Sequence, residues 1–347
     1  MPPGVAPCDP GNGEKRIVGV GKCGTARGRG RGVLVTGATG GIGRVTVLHL
    51  ASRGWDVIAG ARDPAKAADL TAHAERAGVR LRTVVLDVAD PASCRQAVDQ
   101  AEEMTAGGLW ALVNNAGVPQ AGAVADVGDE QARHVLEVNL LGAARLCRLV
   151  LPAMHRHGSG RIVNISSGLG RVPWPMGGWY SAAKHGLSAL THCLRVEAAH
   201  LGVQVCLVEP GAFATPMLAT ATADLAAVRT PGAPGYDRTT ALFNAVDRRV
   251  PGPEPVARTI EKCLTATRPR PRYTVGRDAR LLVPVHSLLP LRVTDLLKHA
   301  VCGLPRTAAT RTQRAVPDGS TAARPPEPEP ETAATARSAA PPTECAP

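Results

Sequence analysis

The stretch of sequence that most constrains the fold is an apolar run that ends in a cluster of glycines. It reads Val-Leu-Val-Thr over 33–36 and Gly-Ala-Thr-Gly-Gly-Ile-Gly over 37–43, and then continues as a helical pattern over 44–53. This order predicts a strand, a tight turn and a helix. Such a turn brings bare backbone close to a pyrophosphate and directs the positive end of the helix dipole at it. The spacing Thr-Gly-x-x-x-Gly-x-Gly differs from the commoner Gly-x-Gly-x-x-Gly.

A second informative feature is a tyrosine and a lysine four residues apart, Tyr180 and Lys184, in the segment Trp-Tyr-Ser-Ala-Ala-Lys. A helix places such residues on one face. A free tyrosine has a pKa of about 10, so it exchanges a proton near neutral pH only if nearby positive charge stabilises its phenolate. The pair therefore indicates an acid–base device in which Lys184 lowers the pKa of Tyr180. The same spacing also occurs on ordinary amphipathic helices.

Apolar, β-branched runs alternate with longer helical stretches along the chain. The predicted strands are 33–36, 55–59, 79–86, 109–113, 161–165 and 203–208, with a seventh near 272–275. The predicted helices include 64–77, 91–106, 130–157 and 178–201. This alternation predicts an α/β fold, a Rossmann-type doubly wound parallel sheet with helices on both faces. Ligands in such folds bind at the carboxyl ends of the strands.

The 347 residues predict one domain with long ends. The domain is expected over 32–305, with a substrate lid at about 216–250 and a C-terminal extension at about 268–305. The basic leader 1–31 and the Pro/Ala/Glu-rich tail 306–347 carry too little apolar surface to offset chain entropy, so both are predicted to be disordered. The N-terminus does not resemble a signal peptide and no apolar run approaches the length of a spanning helix. A cytoplasmic location is expected.

The net charge of +11 raises the question of a nucleic-acid partner. Basic residues are concentrated in the leader and over 268–280, and with only two Phe in the chain no aromatic residues are interleaved for base stacking. Nucleic acid is therefore not expected. The apolar run 281–291 follows the late basic cluster and is too short to span a bilayer. It favours a cap over the substrate pocket, and the alternative is weak association with an anionic membrane surface.

No metal site is expected. The nine cysteines show no Cys-x-x-Cys spacing. His155 and His157 lie two residues apart on a predicted helix, so their side chains diverge, and no third ligand is evident.

Further motifs follow the glycine turn in a fixed order. They are Leu-Asp-Val over 86–88, Asn-Asn-Ala-Gly over 114–117, Val-Asn-Leu-Leu-Gly over 138–142, Ile-Ser-Ser over 165–167 and Pro-Gly-Ala-Phe-Ala-Thr over 210–215. With the glycine turn and the tyrosine–lysine pair, they resemble the short-chain dehydrogenase/reductase (SDR) family, in its single-domain form, from about Val33 to Thr215. Ser167 precedes Tyr180 by thirteen residues, which is the family's usual interval. The part after Ala257 resembles, more loosely, the steroid/retinol dehydrogenase-like branch.

The resemblance implies an NAD(P)-dependent oxidoreductase whose catalytic residues are Asn139, Ser167, Tyr180 and Lys184. Tyr180 would donate a proton to a carbonyl oxygen that Ser167 holds, and these two residues would contact the substrate. Lys184 would bind the nicotinamide ribose, and Asn139 would order a water linking Lys184 to solvent. The residues implied in cofactor binding are Gly37, Thr39, Gly41, Ile42, Gly43, Arg62, Asp87, Val88, Asn115, Ala116, Gly117, Tyr180, Lys184, Pro210, Gly211 and Thr215.

The end of the second predicted strand bears on which nicotinamide is used. An acidic residue there would bind the ribose 2′-hydroxyl of NAD and repel the 2′-phosphate of NADP. The chain instead has small residues followed by Arg62, which suits a phosphate, and Thr39 could add a hydroxyl contact. NADP(H) is therefore the expected cofactor. Asp63 is adjacent and Gly40 stands where many NADP-dependent relatives carry a basic residue, so NAD(H) stays open.

The sequence says less about the substrate. Segment 170–179, which approaches Tyr180, is apolar and aromatic, and this favours a hydrophobic alcohol or ketone. A steroid-like or retinoid-like ligand, a xenobiotic ketone and a polyketide-type oxo compound all fit that description. The resemblance implies a homodimer or homotetramer, and alanine-rich helix faces would permit the close packing that this requires. The alternative function is a non-catalytic, NADP(H)-binding redox-sensing regulator, against which the complete catalytic set argues because a sensor needs no proton donor.

Overall fold

A computed structural model describes residues 31–105, 108–229 and 233–305 of the chain. Apart from Arg31, the predicted leader and tail lie outside these residues. One sheet of seven parallel strands forms the centre, in the order β3-β2-β1-β4-β5-β6-β7. The strands are β1 (Gly32–Thr36), β2 (Asp56–Ala61), β3 (Arg82–Val85), β4 (Leu109–Asn114), β5 (Gly160–Ile165), β6 (Val203–Pro210) and β7 (Arg272–Val275). The predicted doubly wound sheet and its seven strands are confirmed.

The helices of the described residues fall between and after these strands. They are α1 (Gly41–Ser52), α2 (Pro64–Arg76), α3 (Pro91–Met104), α4 (Asp129–Leu136), α5 (Gly142–Arg156), α6 (Gly178–Glu197), α7 (Pro216–Val228), α8 (Tyr236–Asp247), α9 (Glu254–Thr265), α10 (Arg277–Leu288) and α11 (Leu291–Cys302). No helix of the described residues combines the length and the apolar character needed to cross a membrane.

Both faces of the sheet are buried, which is why its strands are almost continuously apolar. Successive side chains of β1 alternate between two cores, with Val33 on one side and Leu34 on the other. The first core is completed by α1 and α9, for example by Leu50 and Ile260. The second is completed by α3 and α5, for example by Leu146. The strand order reverses between β1 and β4, so the crevice at their carboxyl ends is the expected ligand site.

Local capping explains why the two helices after β2 and β3 begin where the sequence predicts. Asp63 precedes α2, and its side chain accepts hydrogen bonds from the backbone N–H groups of Ala65 (2.9 Å) and Lys66 (3.3 Å). Asp90 precedes α3 and accepts from Ala92 N–H at 2.8 Å. In both helices a proline follows as the first residue, where its missing N–H costs nothing.

Two predicted elements differ from the structure. The strand expected over 79–86 is only β3, because its pairing with β2 runs from Arg82 to Val85. The single helix expected over 130–157 is instead α4, a π-helical turn (Glu137–Leu141) and α5. The wider turn carries the buried Asn139, and Gly142 follows it so close to Val88 that a Cβ atom would lie 2.7 Å from the Val88 carbonyl oxygen. Packing on the neighbouring strand ends, rather than helix propensity, fixes this turn.

Apart from α9, the helices after β6 bury fewer apolar side chains than the sheet and the helices that cover it. The predicted lid forms α7 and α8, which enclose a small apolar cluster of Ala121, Met176, Ala221, Leu225 and Tyr236. By contrast, α10 and α11 expose a row of large apolar side chains, namely Leu281, Leu282, Val285, Leu288, Leu291, Val293, Leu296, Leu297 and Val301. Beyond α11, Leu304 packs against the lid cluster. The cap expected over 281–291 stays a prediction from the sequence.

Candidate active site

The glycine turn after β1 is shaped by contacts that leave no room for side chains. Gly37 has φ +62°, and a Cβ atom there would lie 2.8 Å from Ala116 Cα. A Cβ on Gly43 would lie 2.1 Å from the Gly37 carbonyl oxygen. Helix α1 begins at Gly41 after Gly40, which offers no side-chain cap to its first N–H groups. The turn is therefore a bare backbone cradle at a helix N-terminus, and it suits the pyrophosphate of a dinucleotide.

The ends of β1 and β4 are joined by side-chain bonds directly below this turn. Thr36 Oγ1 accepts hydrogen bonds from the N–H groups of Asn115 (3.0 Å) and Ala116 (2.8 Å). The amide of Asn115 donates to the Thr36 carbonyl at 2.9 Å and to that of Gly37 at 3.3 Å. These bonds fix the crevice at the point where the strand order reverses.

Asn139 and Lys184 both approach Gly117. Asn139 is buried, and its amide pairs with the backbone of Val118, accepting from N–H at 3.1 Å and donating to C=O at 2.8 Å. A Cβ atom on Gly117 would lie 2.7 Å from Asn139 Oδ1 and 3.5 Å from Lys184 Nζ. Lys184 Nζ also donates to the Ile165 carbonyl at 3.0 Å. The missing side chain at position 117 thus lets the π-helical turn and α6 meet at the strand ends.

Tyr180, one turn before Lys184 on α6, faces the same space. Lys184 Nζ lies 5.8 Å from the centroid of the Tyr180 ring, and Ser167 hydrogen-bonds the tyrosine. Ser167 begins the short turn after β5, where its Oγ accepts from Leu169 N–H at 3.1 Å. The Tyr180 hydroxyl also lies 4.0 Å from Met217 Sδ on α7. The structure therefore brings together the four residues of the predicted catalytic set.

The electrostatics of this pair differ from the sequence-based expectation. Burial raises the pKa of Tyr180, and the hydrogen bond with Ser167 only partly opposes this rise. Burial also lowers the pKa of Lys184 to about 8, because the ammonium is desolvated. In the protein alone the pKa of Tyr180 is thus raised rather than lowered, because desolvation outweighs the hydrogen bond with Ser167. A raised pKa keeps Tyr180 protonated, which suits a proton donor.

The ends of β2 and β3 carry the residues predicted to meet the adenosine part of a cofactor. Arg62 is exposed and makes no hydrogen bond or ion pair with any of the described residues. Asp63, in contrast, is occupied as the cap of α2. Asp87 accepts from Ala89 N–H at 3.0 Å, and the Val88 carbonyl accepts from Arg145 at 2.7 Å. Arg62 is therefore available to a ligand, whereas one oxygen of Asp63 is already engaged by α2.

The loop after β6, residues 210–215, is held by three other segments. Gly211 N–H donates to the Val275 carbonyl at 2.7 Å, and Ala214 N–H donates to that of Pro251 at 2.9 Å. Between them, Ala212 N–H donates to the carboxylate of Asp278 at 2.7 Å. At the end of the loop, a Cβ atom on Gly41 would lie 2.5 Å from the Thr215 methyl group. The loop therefore closes directly onto the glycine turn. Of the other predicted contacts, Thr39 and Ile42 also lie in that turn.

Sequence reasoning missed three residues at this site. Met217 Sδ lies 4.0 Å from the Tyr180 hydroxyl, and Asp278 holds the 210–215 loop. Met176 is the non-glycine residue with a positive φ, +62°, among the described residues, and it is buried just before α6. The Pro-Trp-Pro-Met order signals a turn but not this strained conformation. Asp278, two residues into α10, reads from sequence only as a helix-start acid.

No group of three or more His, Cys, Asp or Glu residues that could hold a metal ion occurs within 31–105, 108–229 and 233–305.

Comparison with known proteins agrees with this geometry. The family model described as short chain dehydrogenase matches residues 31–226, more than half of the chain. The chain belongs to the short-chain dehydrogenase family. Among its family relatives, mouse retinol dehydrogenase 5 is 37% identical over 293 residues, covering 80% of this chain and 89% of the relative. Human 17-beta-hydroxysteroid dehydrogenase type 6 is 33% identical over 279 residues, covering 76% and 86%.

A solved structure of the family is also similar. A metagenomic short-chain oxidoreductase in complex with NADP superposes with a TM-score of 0.58 at 25% identity, covering 72% of this chain and 98% of that one. These likenesses confirm the expected family and its steroid/retinol dehydrogenase-like branch. The chain is thus an oxidoreductase of this family, which acts on C–OH and C=O groups, and a nicotinamide cofactor is supported.

Proposed function

We propose that the protein transfers a hydride between NADP(H) and the carbonyl or alcohol carbon of a hydrophobic substrate, with Tyr180 as general acid and base. The observation that carries the proposal is the convergence of Tyr180, Ser167, Lys184 and Asn139 at the strand ends beside a side-chain-free glycine turn. The bound nicotinamide would supply or accept the hydride, and the protein would supply geometry and proton transfer.

In the reducing direction Tyr180 donates its proton to the substrate oxygen. The raised pKa of Tyr180 keeps that proton in place until the oxygen gains negative charge. Ser167, already hydrogen-bonded to Tyr180, holds the same oxygen. Lys184 binds the ribose hydroxyls, and its cationic form stabilises the phenolate that remains after transfer. Asn139, whose Oδ1 approaches Gly117 as Lys184 Nζ does, orders the water through which the proton is restored from solvent.

The cofactor-binding residues are proposed as a set that surrounds the crevice. The backbone cradle at the glycine turn takes the pyrophosphate, the Asp87–Val88 segment takes the adenine, and the 210–215 loop covers the nicotinamide. These roles belong to Gly37, Thr39, Gly41, Ile42, Gly43, Asp87, Val88, Asn115, Ala116, Gly117, Pro210, Gly211 and Thr215.

The preference for NADP(H) over NAD(H) rests on Arg62. Its guanidinium is exposed at the end of β2, and one oxygen of the neighbouring Asp63 carboxylate is turned to the N–H groups at the start of α2. Arg62→Ala should weaken NADPH binding by about tenfold or more and leave NADH binding nearly unchanged. Lys66→Ala removes an exposed cation one turn later and is the matched control. Equal loss of both cofactors in Arg62→Ala would contradict the preference.

A hydrophobic substrate is favoured by the surroundings of Tyr180. Met217 and Met176 are apolar, and the lid that carries Met217 closes over an apolar cluster. The similar proteins are named as retinol and 17-beta-hydroxysteroid dehydrogenases. A retinoid-like or steroid-like alcohol or ketone is therefore the first substrate class to test.

The decisive experiment measures NADPH and NADH oxidation with steroid ketones, retinal, aromatic ketones and short β-keto esters. Tyr180→Phe is assayed alongside, and cofactor affinity is measured separately by fluorescence. We expect turnover with at least one hydrophobic carbonyl and none in the variant, at nearly unchanged cofactor affinity. An active Phe variant would exclude Tyr180 as the proton donor. Tight cofactor binding without any turnover would favour the redox-sensing regulator, which no other observation supports.

We also infer that the exposed leucines of α10 and α11 bind weakly to an anionic membrane surface. The exposed Arg277 and Arg280 precede this row and the exposed Arg292 lies within it, so apolar insertion and charge attraction would act together. A homodimer or homotetramer and a cytoplasmic location stay predictions from the sequence. Sedimentation and cell fractionation test them.

A further inference from the structure

The first turn of α10 lies between two loops of the active site. Asp278 contacts the loop after β6, and its neighbour Ala279 is buried against the turn after β5, where a Cβ atom on Gly168 would lie 3.5 Å from Ala279 Cβ and 3.7 Å from the Pro210 carbonyl. Gly168 directly follows Ser167. One helix turn from the C-terminal extension therefore touches both the segment that carries Ser167 and the segment predicted to cover the nicotinamide.

The approach of Asp278 to the 210–215 loop depends on two glycines. A Cβ atom on Gly211 would lie 2.1 Å from Asp278 Oδ1, and one on Gly276 would lie 2.5 Å from the same oxygen. Gly276 also has φ +109°, which ordinary residues rarely adopt. The carboxylate can reach the Ala212 N–H only because both positions lack a side chain.

We propose that Asp278 is a positioning residue that holds the 210–215 loop in the shape that binds the cofactor. This inference rests on the proposed cofactor role of that loop. The Gly211 and Ala214 N–H groups are already held by backbone carbonyls, whereas Ala212 depends on the Asp278 side chain. Losing this carboxylate would free the middle of the loop and leave its two flanking bonds intact. The cofactor would then have to order the loop on binding.

The test compares Asp278→Ala with Asp278→Asn, whose amide oxygen can still accept from Ala212 N–H. The Asp278 carboxylate is also exposed to solvent, so its hydrogen bond should contribute at the low end of the range for bonds to charged groups. Asp278→Ala should therefore raise the Kd for NADPH by about threefold to tenfold. Asp278→Asn should stay within about twofold of the wild type. Asp129→Ala removes an acid from the first turn of α4 and controls for a general helix effect.

Hydrogen exchange of a peptide covering 211–215, measured without cofactor, separates this inference from the proposed function. We expect faster exchange in Asp278→Ala than in the wild type, Asp278→Asn and Asp129→Ala, with similar thermal unfolding in all four. Unchanged exchange in Asp278→Ala, or equal effects of the Ala and Asn variants, would overturn the positioning role. A wild type that binds no NADPH would instead refute the proposed cofactor. If Asp278→Ala fails to fold, Asp278→Asn still tests the role of the bond to Ala212 N–H. Wild-type NADPH affinity and hydrogen exchange in Asp278→Asn support that role, and a clear change in either refutes it.

Discussion

The glycine turn and the pair α10–α11 are opposite cases of how this chain uses side chains. At the turn, function requires that side chains be absent, because a Cβ atom on Gly37 or Gly43 would collide with backbone. On α10 and α11, large side chains are present but not buried, and Leu288 is 84% exposed and Leu291 71% exposed. Contacts with neighbouring backbone therefore exclude side chains at the turn, whereas packing places little restriction on the exposed side chains of α10 and α11.

This difference indicates where the general chemistry and the specificity of the protein are encoded. Backbone contacts fix the cofactor side in one arrangement, which suits a ligand shared by a whole family. The C-terminal helices leave apolar surface uncovered, and such surface usually marks an interaction site. Four changes, taken from the largest expected effect to the smallest, test how sharp this contrast is.

Gly43→Ala should have the largest effect. Its new methyl group would lie 2.1 Å from the Gly37 carbonyl, so the turn must open, at a cost of about 3 kcal/mol or more in folding free energy and with loss of cofactor binding. Gly40→Ala is the matched control, because its methyl group would meet the same carbonyl at an ordinary 3.5 Å. Chemical unfolding and NADPH titration measure both. Similar behaviour of the two variants would show that the turn is looser than its contacts indicate.

Lys184→Met should change how stability depends on pH. The folded pKa of Lys184 is about 8 and the ordinary value is 10.5, so the unfolded chain holds this proton between those pH values while the folded chain releases it. Stability of the wild type therefore rises with pH through this window, and below pH 8 the buried ammonium costs up to about 3 kcal/mol. The Met variant should be the more stable at pH 7, with a gain that shrinks toward pH 10.

Urea unfolding at pH 7 and pH 10 measures this gain. Lys66→Met, which changes an exposed lysine, should show no such trend. A gain that is the same at both pH values would mean that the ammonium is not desolvated. The Met variant is also expected to be inactive.

Tyr236→Phe should have a moderate effect confined to the lid. The buried hydroxyl donates to Asp126 at 2.6 Å and accepts from Ala123 N–H at 3.1 Å, so its removal should cost about 1–2 kcal/mol. We expect a higher KM for the substrate and a nearly unchanged kcat if the predicted lid positions the substrate without exchanging protons. Tyr273→Phe, whose hydroxyl accepts from Arg270 N–H at 2.9 Å, is the control in β7. A fall in kcat alone would contradict this division of roles.

The double change Leu288→Ser with Leu291→Ser should have the smallest effect on stability, about 0.5 kcal/mol or less, because both side chains are already in water. It should nevertheless abolish sedimentation of the protein with anionic vesicles. Val196→Ser alters an exposed apolar residue on α6 and should leave vesicle binding intact. No binding by the wild type would remove the membrane proposal, and a large loss of stability would show that these leucines are covered in an assembly.

The sequence predicted the tightly restricted regions of the structure better than the regions that depend on distant contacts. The glycine turn and the strand ends were predictable because each depends on residue types that few other arrangements tolerate. The spacing of the tyrosine–lysine pair is common by itself, and the pair was predictable because it occurs in order with the other motifs. The caps of α2 and α3 were predictable for the same reason, since Asp-Pro at both starts is a local signal. What could not be predicted depends on long-range contacts. Asp278 meets Ala212 across 66 residues, and Tyr236 meets Asp126 across 110.

The direction of the pKa shift at Tyr180 was also beyond the sequence. Spacing placed a cation nearby and so predicted a lower pKa, but burial depends on how α6 packs beneath the lid, and burial raises it. In the same way, the exposure of the α10–α11 leucines was not evident from an apolar run, which reads alike whether it is covered or not.

The π-helical turn at Glu137–Leu141 interrupts what would otherwise be one regular helix, and it carries a residue of the proposed catalytic set. Such a turn holds one residue more than an α-helical turn, so deleting a single residue there would let α4 and α5 join as one regular helix. The flanking helices would keep nearly their present orientation, because the wide turn and an α-helical turn each complete one revolution, but the wide turn that carries Asn139 would be lost. Asn139 could not keep both its hold on Val118 and its place beside Lys184. In evolutionary terms, the simplest deletion that would make this helix regular would also displace Asn139 and break the proposed link between Lys184 and solvent.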